Sequence, residues 1–170
     1  MLRLLDDYLT IVTDTIVGHG GMVDKLIGDG VFAIFNAPLD LTDHARHSVD
    51  AAKAIISATE NYRKTPLAAK LALGRTRIGI ESGTAIVGDV GGGSKLDYTA
   101  LGTVVNTASR LESINKEFKT SICIGPVAAS SLRRDEIERL GTIKIRGRNA
   151  KMEVFTVARP QHRPDQAAQA

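Results

Sequence analysis

Residues 97–113 read Asp-Tyr-Thr-Ala-Leu-Gly-Thr-Val-Val-Asn-Thr-Ala-Ser-Arg-Leu-Glu-Ser, and this stretch predicts a strand that turns at Gly102 into a helix. The helix presents Asn106 and Arg110, which are four residues apart. Residues at that spacing share one face of an α-helix, so an amide and a guanidinium lie side by side. The stretch therefore combines a strand-turn-helix unit with two polar groups on one helix face.

A second informative stretch lies upstream and predicts a β-hairpin. Two β-like runs, at 22–27 and 31–35, are joined by Gly28-Asp29-Gly30. An Asp-Gly pair is a strong hairpin signal because both residues tolerate positive φ. Taken alone, the Gly-Asp-Gly sequence indicates a turn and nothing more.

Helical and β-like periodicities alternate along the rest of the chain, without an internal repeat. This mixture of hairpins and intervening helices predicts an α+β fold with a mainly antiparallel sheet. In chain order we expect a helix ending near Val17, a second helix from Thr42 or Asp43 to near Thr65, a hairpin of strands 75–82 and 84–90 about Gly83, a flexible loop at 91–94, a strand at 120–124, a short helix from Pro126, and strands at 140–146 and 152–158.

Composition indicates one globular domain. The chain has 170 residues, of which 43% are hydrophobic and 24% charged, enough for a core and too few charges for disorder. We assign the domain to residues 1–158 and expect the tail at 159–170, rich in Gln, Pro and Ala, to be disordered because it has nothing to bury.

The charge pattern and the single cysteine exclude several classes of protein. A net charge of +3 comes from scattered Lys and Arg, which predicts no nucleic-acid partner and suits a small polyanion such as a nucleotide. Cys123 is the only cysteine, so neither a disulfide framework nor a zinc site can be built and a buried thiol is expected. No run approaches the ~20 apolar residues of a membrane helix, so we expect a cytoplasmic chain or the cytosolic domain of a membrane-anchored parent.

Taken together, the motifs at 24–30 (Asp-Lys-Leu-Ile-Gly-Asp-Gly) and 97–113 resemble the catalytic core of the class III nucleotidyl cyclases, which make cyclic AMP or cyclic GMP. The resemblance covers nearly all of residues 1–157. It implies a ferredoxin-like βαββαβ-type core, with a mainly antiparallel sheet flanked by helices. The family's first strand, roughly Phe-x-Asp-Ile-x-x-Phe, is missing from this sequence, and with it one metal-binding carboxylate and a phosphate-binding turn.

The resemblance also implies roles for individual residues. In the family reaction the ribose 3′-hydroxyl attacks the α-phosphate and pyrophosphate leaves, while two Mg²⁺ or Mn²⁺ ions neutralise charge. By resemblance, Asp29 is a metal ligand, Arg110 stabilises charge on the α-phosphate, and Asn106 holds the ribose. Asp6 and Asp7 are not substitutes for the missing carboxylate, because the helix that carries them should place both in solvent.

Base choice in the family depends on two positions, which are Lys25 and Thr99 here. An ammonium can donate to adenine N1 and a hydroxyl can accept from the exocyclic amine, whereas guanine presents the opposite pattern at those atoms. ATP is therefore the favoured substrate. Arg146 falls where the family often has a basic contact to the triphosphate, although an arginine at a strand end is commonly just solvated.

In this family each active site lies between two chains, so the resemblance implies a homodimer or pairing with another cyclase chain. The leading hypothesis is an adenylate cyclase domain that serves cyclic-nucleotide signalling. Three alternatives remain open: a catalytically incomplete pairing or regulatory subunit, a domain that binds ATP without chemistry, and a guanylate cyclase.

Overall fold

The computed structural model describes residues 1–92, 95–144 and 151–158. These parts of the chain contain five α-helices and eight strands. In chain order the elements are α1 (Leu2–Gly18), β1 (Met22–Ile27), β2 (Gly30–Ile34), α2 (His44–Arg63), α3 (Pro66–Lys70), β3 (Ile78–Ile80), β4 (Ile86–Gly92), β5 (Lys95–Leu101), α4 (Thr103–Phe118), β6 (Ile122–Ile124), α5 (Pro126–Ser130), β7 (Ile137–Lys144) and β8 (Lys151–Val157).

The centre of the fold is a four-stranded sheet in the order β3-β6-β8-β7, with β3 parallel to β6 and the other pairs antiparallel. Successive side chains of a strand point to opposite faces, and both faces of this sheet are covered. Ile122 and Ile124 of β6 pack with Val49 of α2. Cys123, between them, packs with Leu111 of α4. The prediction of an α+β fold with mainly antiparallel pairing and flanking helices is confirmed.

Cys123 is fully buried, as expected for a core thiol. Burial raises the pKa of the thiol, and the nearby Thr120 hydroxyl, 3.5 Å from Sγ, acts in the opposite direction. A buried thiol with a raised pKa is poorly suited to nucleophilic chemistry. The cysteine therefore belongs to the hydrophobic core.

Two hairpins stand outside the central sheet, β1 with β2 and β4 with β5. The expected hairpin of residues 75–82 with 84–90 is wrong, because β3 pairs with β6 and β4 pairs with β5. Alternating hydrophobicity identifies a strand but does not identify its partner. The expected loop at 91–94 is wrong at Gly91 and Gly92, which belong to β4, and its other two positions lie outside the described residues.

Helices α1 and α2 pack against each other, with Val12, Ile16 and Ile55 in a shared cluster. The Tyr62 hydroxyl of α2 donates a hydrogen bond of 2.9 Å to Asp7 Oδ2 of α1. Asp6 is exposed as expected, but Asp7 is half-buried. The expectation that Asp7 lies in solvent is therefore wrong, because the Tyr62 hydroxyl holds it at the interface between the two helices.

Helix α4 lies unusually close to β3. A Cβ atom at Gly79 would overlap the main chain of α4 at Ala108 and Glu112, so glycine permits this approach. The fully buried Asn115 fixes the contact: its Nδ2 donates to the Ile78 carbonyl of β3 at 2.9 Å, and its Oδ1 accepts from the Thr120 hydroxyl at 2.8 Å. These contacts set the position of α4 and of every side chain that it carries.

An ion pair joins α2 to the residue that precedes β7. Arg46 donates two hydrogen bonds to the Glu136 carboxylate, at 2.8 and 2.7 Å. These bonds, together with one from the Arg133 main-chain N–H, lower the pKa of Glu136 to about 2. The pair therefore links helix α2 to the start of the β7–β8 hairpin.

Two predicted features lie outside the described residues: Arg146 and the tail at 159–170. The division of the chain into a domain at 1–158 and a tail stays a prediction. Among the helices in the described parts of the chain, none is both long and apolar enough to cross a membrane.

Candidate active site

The site begins at an irregularity in β1. In the β1–β2 hairpin, Val23 pairs with Ala33 and Lys25 pairs with Phe32, so Asp24 is an extra residue with no partner of its own. Such a β-bulge re-aims the side chains around it. As a result, Asp24 and its neighbour Lys25 both reach the same residue of another hairpin, which consecutive residues of a regular strand would not do.

That residue is Thr99 of β5. The Lys25 ammonium donates to Thr99 Oγ1 at 2.9 Å, and the Thr99 hydroxyl donates to Asp24 Oδ2 at 2.5 Å. The triangle is closed by Lys25 Nζ, which lies 3.2 Å from Asp24 Oδ1. We call these three residues the Asp24–Lys25–Thr99 cluster. The two residues that sequence analysis assigned to base choice are thus in direct contact.

Burial within the cluster is uneven. The side chain of Asp24 is 1% exposed, that of Lys25 is 41% exposed, and Thr99 is 5% exposed overall. A buried carboxylate is costly unless it is paired and hydrogen-bonded, and here both oxygens have partners. Lys25 therefore forms the open side of the cluster, whereas Thr99 and Asp24 are buried behind it.

Helix α4 carries the other pair of predicted site residues. Asn106 and Arg110 are both exposed on its surface, one turn apart. Arg110 lines a cleft of about 170 Å³ between α4 and the last hairpin. The cleft is lined by Thr107, Arg110, Ser113, Ile114, Ile143, Lys144 and Met152. The predicted strand-turn-helix unit is confirmed, and it leaves both polar groups accessible to a ligand.

Asp29 lies at the exposed tip of the β1–β2 hairpin. A two-ion site needs several oxygen ligands, and in the part of the chain that the structure describes no group of three or more His, Cys, Asp or Glu side chains could hold a metal ion. One carboxylate does not fit a two-ion centre by itself.

Sequence reasoning missed Asp24, Asn115 and Lys144. Asp24 is adjacent to Lys25, but strict alternation along β1 would place the two side chains on opposite faces, and nothing in the sequence marks the bulge. Asn115 looks like an ordinary polar helix residue until its burial is known. Lys144 brings a second cation to the cleft beside Arg110, and only the docking of the last hairpin against α4 reveals it.

Comparison with known proteins gives a consistent result. The chain is 37% identical over 158 residues to adenylate cyclase 1 of Rhizobium meliloti (strain 1021). The matched region covers 92% of this chain and 24% of that protein. Among solved structures, the adenylyl cyclase CyaB from P. aeruginosa superposes with a TM-score of 0.80 at 26% identity, covering 95% of this chain and 83% of that one.

A second similar structure is the guanylate cyclase domain of RhGC from Catenaria anguillulae in complex with GTP. It superposes with a TM-score of 0.76 at 26% identity, and the match covers 93% of this chain and 83% of that one. This chain spans about a quarter of the Rhizobium meliloti relative, since it covers 24% of its length. The sequence also matches the family described as the adenylate and guanylate cyclase catalytic domain over residues 1–159. With the fold and sequence in agreement, this chain belongs to that family of cyclase catalytic domains.

Proposed function

We propose that the chain is an adenylate cyclase domain that converts ATP to 3′,5′-cyclic AMP and pyrophosphate, for use in cyclic-nucleotide signalling. The observation that carries the choice of ATP is the direct contact between Lys25 and Thr99, which puts a donor beside an acceptor. A relative named adenylate cyclase supports the same substrate. Because ATP is the proposed substrate, we also propose that the domain faces the cytoplasm.

The proposed chemistry is one in-line displacement. The ribose 3′-hydroxyl loses its proton to solvent as its oxygen forms a bond to the α-phosphorus, and the bond from that phosphorus to the bridging oxygen breaks, which releases pyrophosphate. The Arg110 guanidinium, always charged and planar, would stabilise negative charge on the α-phosphate. The Asn106 amide would hold the ribose so that its 3′-oxygen is aligned for attack. At the other end, Lys25 and Thr99 would hold the adenine.

A requirement for Mg²⁺ or Mn²⁺ is part of the proposal. Such ions supply charge neutralisation when bound, and Asp29 would contribute one carboxylate. The remaining ligands would have to come from the substrate or from groups outside the described residues. A contribution of Arg146 to triphosphate binding is proposed on the resemblance alone.

We propose that the site is shared between two copies of the chain. Exposed apolar side chains on the β4–β5 hairpin support this proposal, since such clusters mark interaction surfaces. A two-fold homodimer would form two identical sites from one kind of surface. Ile86 pairs with Leu101, and Val90 follows Ile86 by four residues along the strand, so these three exposed side chains share one face of the hairpin, which we call the hairpin face below.

A second candidate is a pairing subunit, which would supply Lys25, Thr99, Asn106 and Arg110 to a complete partner cyclase. The observation that favours it is that no group of three or more possible metal ligands is found among the described residues, whereas the family chemistry calls for at least two carboxylates beside the substrate. The two candidates predict different behaviour of the chain when it is alone and when it is mixed with another cyclase.

The deciding experiment measures cyclic AMP made from ATP and Mn²⁺ by the purified 170-residue chain. An Arg110→Ala variant is the control, and its rate should fall by ~10² or more, as for the loss of one transition-state donor. Product above this control supports the enzyme. If the chain alone gives no product but restores activity to a cyclase that lacks its own catalytic arginine, the pairing subunit is correct. No product in either assay contradicts both candidates.

A further inference from the structure

We propose that Asp24 is a positioning residue that fixes the direction of the Thr99 hydroxyl and so makes the base pocket selective for adenine. The inference rests on the proposed function and deepens it. Asp24 acts through its neighbours and not on the ligand, because its side chain is 1% exposed. The donors and acceptors of the Asp24–Lys25–Thr99 cluster limit what a bound base can meet there.

The first step concerns the hydroxyl of Thr99. A hydroxyl has one proton to donate and two lone pairs that accept. The proton is directed at Asp24 Oδ2, since an ionised carboxylate can only accept. One lone pair accepts from the Lys25 ammonium. What remains for a ligand is a single lone pair, so Thr99 can only accept from the bound base.

The second step concerns Lys25. An ammonium has three N–H donors and no acceptor. One N–H donates to Thr99 Oγ1, and the ammonium forms an ion pair with Asp24 Oδ1, 3.2 Å away. An N–H that does not point at Thr99 can donate to a ligand on the open side of the cluster, where 41% of the side chain is exposed. The cluster thus presents one fixed donor beside one fixed acceptor.

The third step is the match to a purine. Adenine has an acceptor at N1 next to a donor, the amine on C6, which is complementary to a fixed donor beside a fixed acceptor. A guanine ring placed in the same way has N1–H opposite the Lys25 donor and O6 opposite the Thr99 lone pair. Without Asp24, the Thr99 hydroxyl could rotate and donate to O6. Asp24 therefore removes an adjustment that would lessen the mismatch with guanine, while the mismatch between N1–H and Lys25 is independent of it.

The bulge in β1 supports a dedicated role for Asp24. The extra residue breaks the regular pairing of the β1–β2 hairpin between Val23 and Lys25, and its effect is to bring a carboxylate against both its neighbour Lys25 and Thr99 of the other hairpin. If Asp24 served only to link the two hairpins, replacing it would change the stability of the fold but not the preference among nucleotides. Selectivity for the base is therefore the readout that separates the two roles.

The test measures binding of ATP and GTP to the full 170-residue chain by displacement of a fluorescent ATP analogue. The wild-type chain should prefer ATP. In Asp24→Asn, the amide can turn either its oxygen or its NH2 group toward Thr99, so the hydroxyl is no longer confined to donating away from the base, and the ATP-to-GTP preference should fall roughly tenfold. The matched control is Asp50→Asn, because Asp50 pairs only with Lys53 on the surface of α2 among its described ion pairs, and it should retain the wild-type preference.

A second measurement needs no substitution and remains informative if Asp24→Asn does not fold. Inosine triphosphate carries the O6 and N1–H edge of guanine without its 2-amino group, so the wild-type chain should bind it as weakly as GTP. Binding as tight as that of ATP would overturn the inference, because it would show that the Thr99 hydroxyl is free to rotate.

The failure of this inference and of the proposed function can be told apart. A wild-type chain that prefers ATP, together with an Asp24→Asn variant that folds and keeps the full preference, overturns the role of Asp24 alone. A wild-type chain that binds neither ATP nor GTP overturns the proposed function and this inference with it. A preference lost in Asp24→Asn and kept in Asp50→Asn supports both.

Discussion

Asn115 shows how one residue can position a functional helix without touching a ligand. Its amide is fully buried, donates to the Ile78 carbonyl of β3 and accepts from the Thr120 hydroxyl. It also donates to carbonyls of its own helix, at Leu111 and Glu112. Every polar atom of this side chain is therefore used, and the register between α4 and β3 depends on it.

Replacing Asn115 with Ala should lower the free energy of unfolding by ~1–3 kcal/mol, because the Ile78 carbonyl and the Thr120 hydroxyl would lose a buried partner. Urea unfolding followed by circular dichroism measures the change. Thr120→Val is the graded control, since it removes one hydrogen bond of the network and should cost less. An Asn115→Ala variant as stable as the wild type would contradict this role.

At the scale of single residues, sequence reasoning named Lys25 and Thr99 through the resemblance, and their role in base choice stays a prediction. They lie 74 positions apart in the sequence and are in direct contact in the fold. The role of Asp24 was missed because the direction of its side chain depends on the bulge in β1. That bulge arises from the pairing of β1 with β2 and is not visible in the sequence of β1 alone. Burial and backbone irregularity are products of the whole fold, and composition near a residue does not reveal them.

At the scale of elements, the contact between β3 and α4 is a main-chain packing contact. Gly79→Ala would place a methyl group against the α4 backbone at Ala108 and Glu112. Neither element can move freely, since β3 is hydrogen-bonded to β6 and α4 is fixed by Asn115. We expect a loss of ~1–3 kcal/mol in unfolding free energy from overpacking.

Gly74→Ala is the matched control for Gly79→Ala. A Cβ atom at residue 74 would meet nothing within 4 Å, so the same chemical change should be neutral or slightly stabilising. Thermal melting of the two variants side by side gives the comparison. Equal melting temperatures would show that the helix and strand separate at little cost, contrary to the packing described above.

The ion pair between Arg46 and Glu136 makes the junction of α2 with the last hairpin sensitive to acid. Because the folded chain lowers the pKa of Glu136 from 4.5 to about 2, the pair contributes its full stabilisation above pH 4.5. That contribution declines as the pH falls through this range, since the unfolded chain takes up a proton that the folded chain resists.

We therefore expect Glu136→Gln to be less stable than the wild type above pH 4.5 and to approach it near pH 2. Urea unfolding across this range measures the difference. Glu153→Gln is the control, because its pair with Arg139 is exposed and exposed pairs contribute ~0–1 kcal/mol. A difference for Glu136→Gln that does not change with pH would contradict the assignment.

Sequence patterns predicted most elements but not how the strands pair. The helices α1, α2 and α4 and the β1–β2 hairpin were predicted because each has a local signal, either helical spacing or a Gly-Asp-Gly turn. The pairing of β3 with β6 joins residues 78–80 to 122–124, and it depends on both faces of the central sheet being covered. The short helix α3 was missed, although Thr65 accepts a hydrogen bond from the Ala68 N–H at its start.

At the scale of the whole molecule, the proposed two-chain site predicts association through the hairpin face. Ile86 is 76% exposed, so Ile86→Glu should leave the folded chain intact. It should weaken a homodimer roughly tenfold or more, because burying an unpaired carboxylate is costly. Sedimentation velocity over a range of protein concentrations measures the effect.

The control for Ile86→Glu is Val127→Glu, which places the same charge at an exposed apolar residue of α5, away from the hairpin face. It should leave association unchanged. A wild-type chain that stays monomeric at all concentrations would contradict the homodimer and leave pairing with another cyclase chain as the route to a complete site.

The Asp24–Lys25–Thr99 cluster joins two hairpins that belong to separate sheets. In the proposed base site, substrate preference and the docking of these hairpins therefore depend on the same three residues. An engineer who wished to change the proposed preference to guanine would have to replace residues on both hairpins and, in the same step, provide a new means of holding the hairpins together. Single substitutions aimed at the base should accordingly yield weakened chains more often than converted ones.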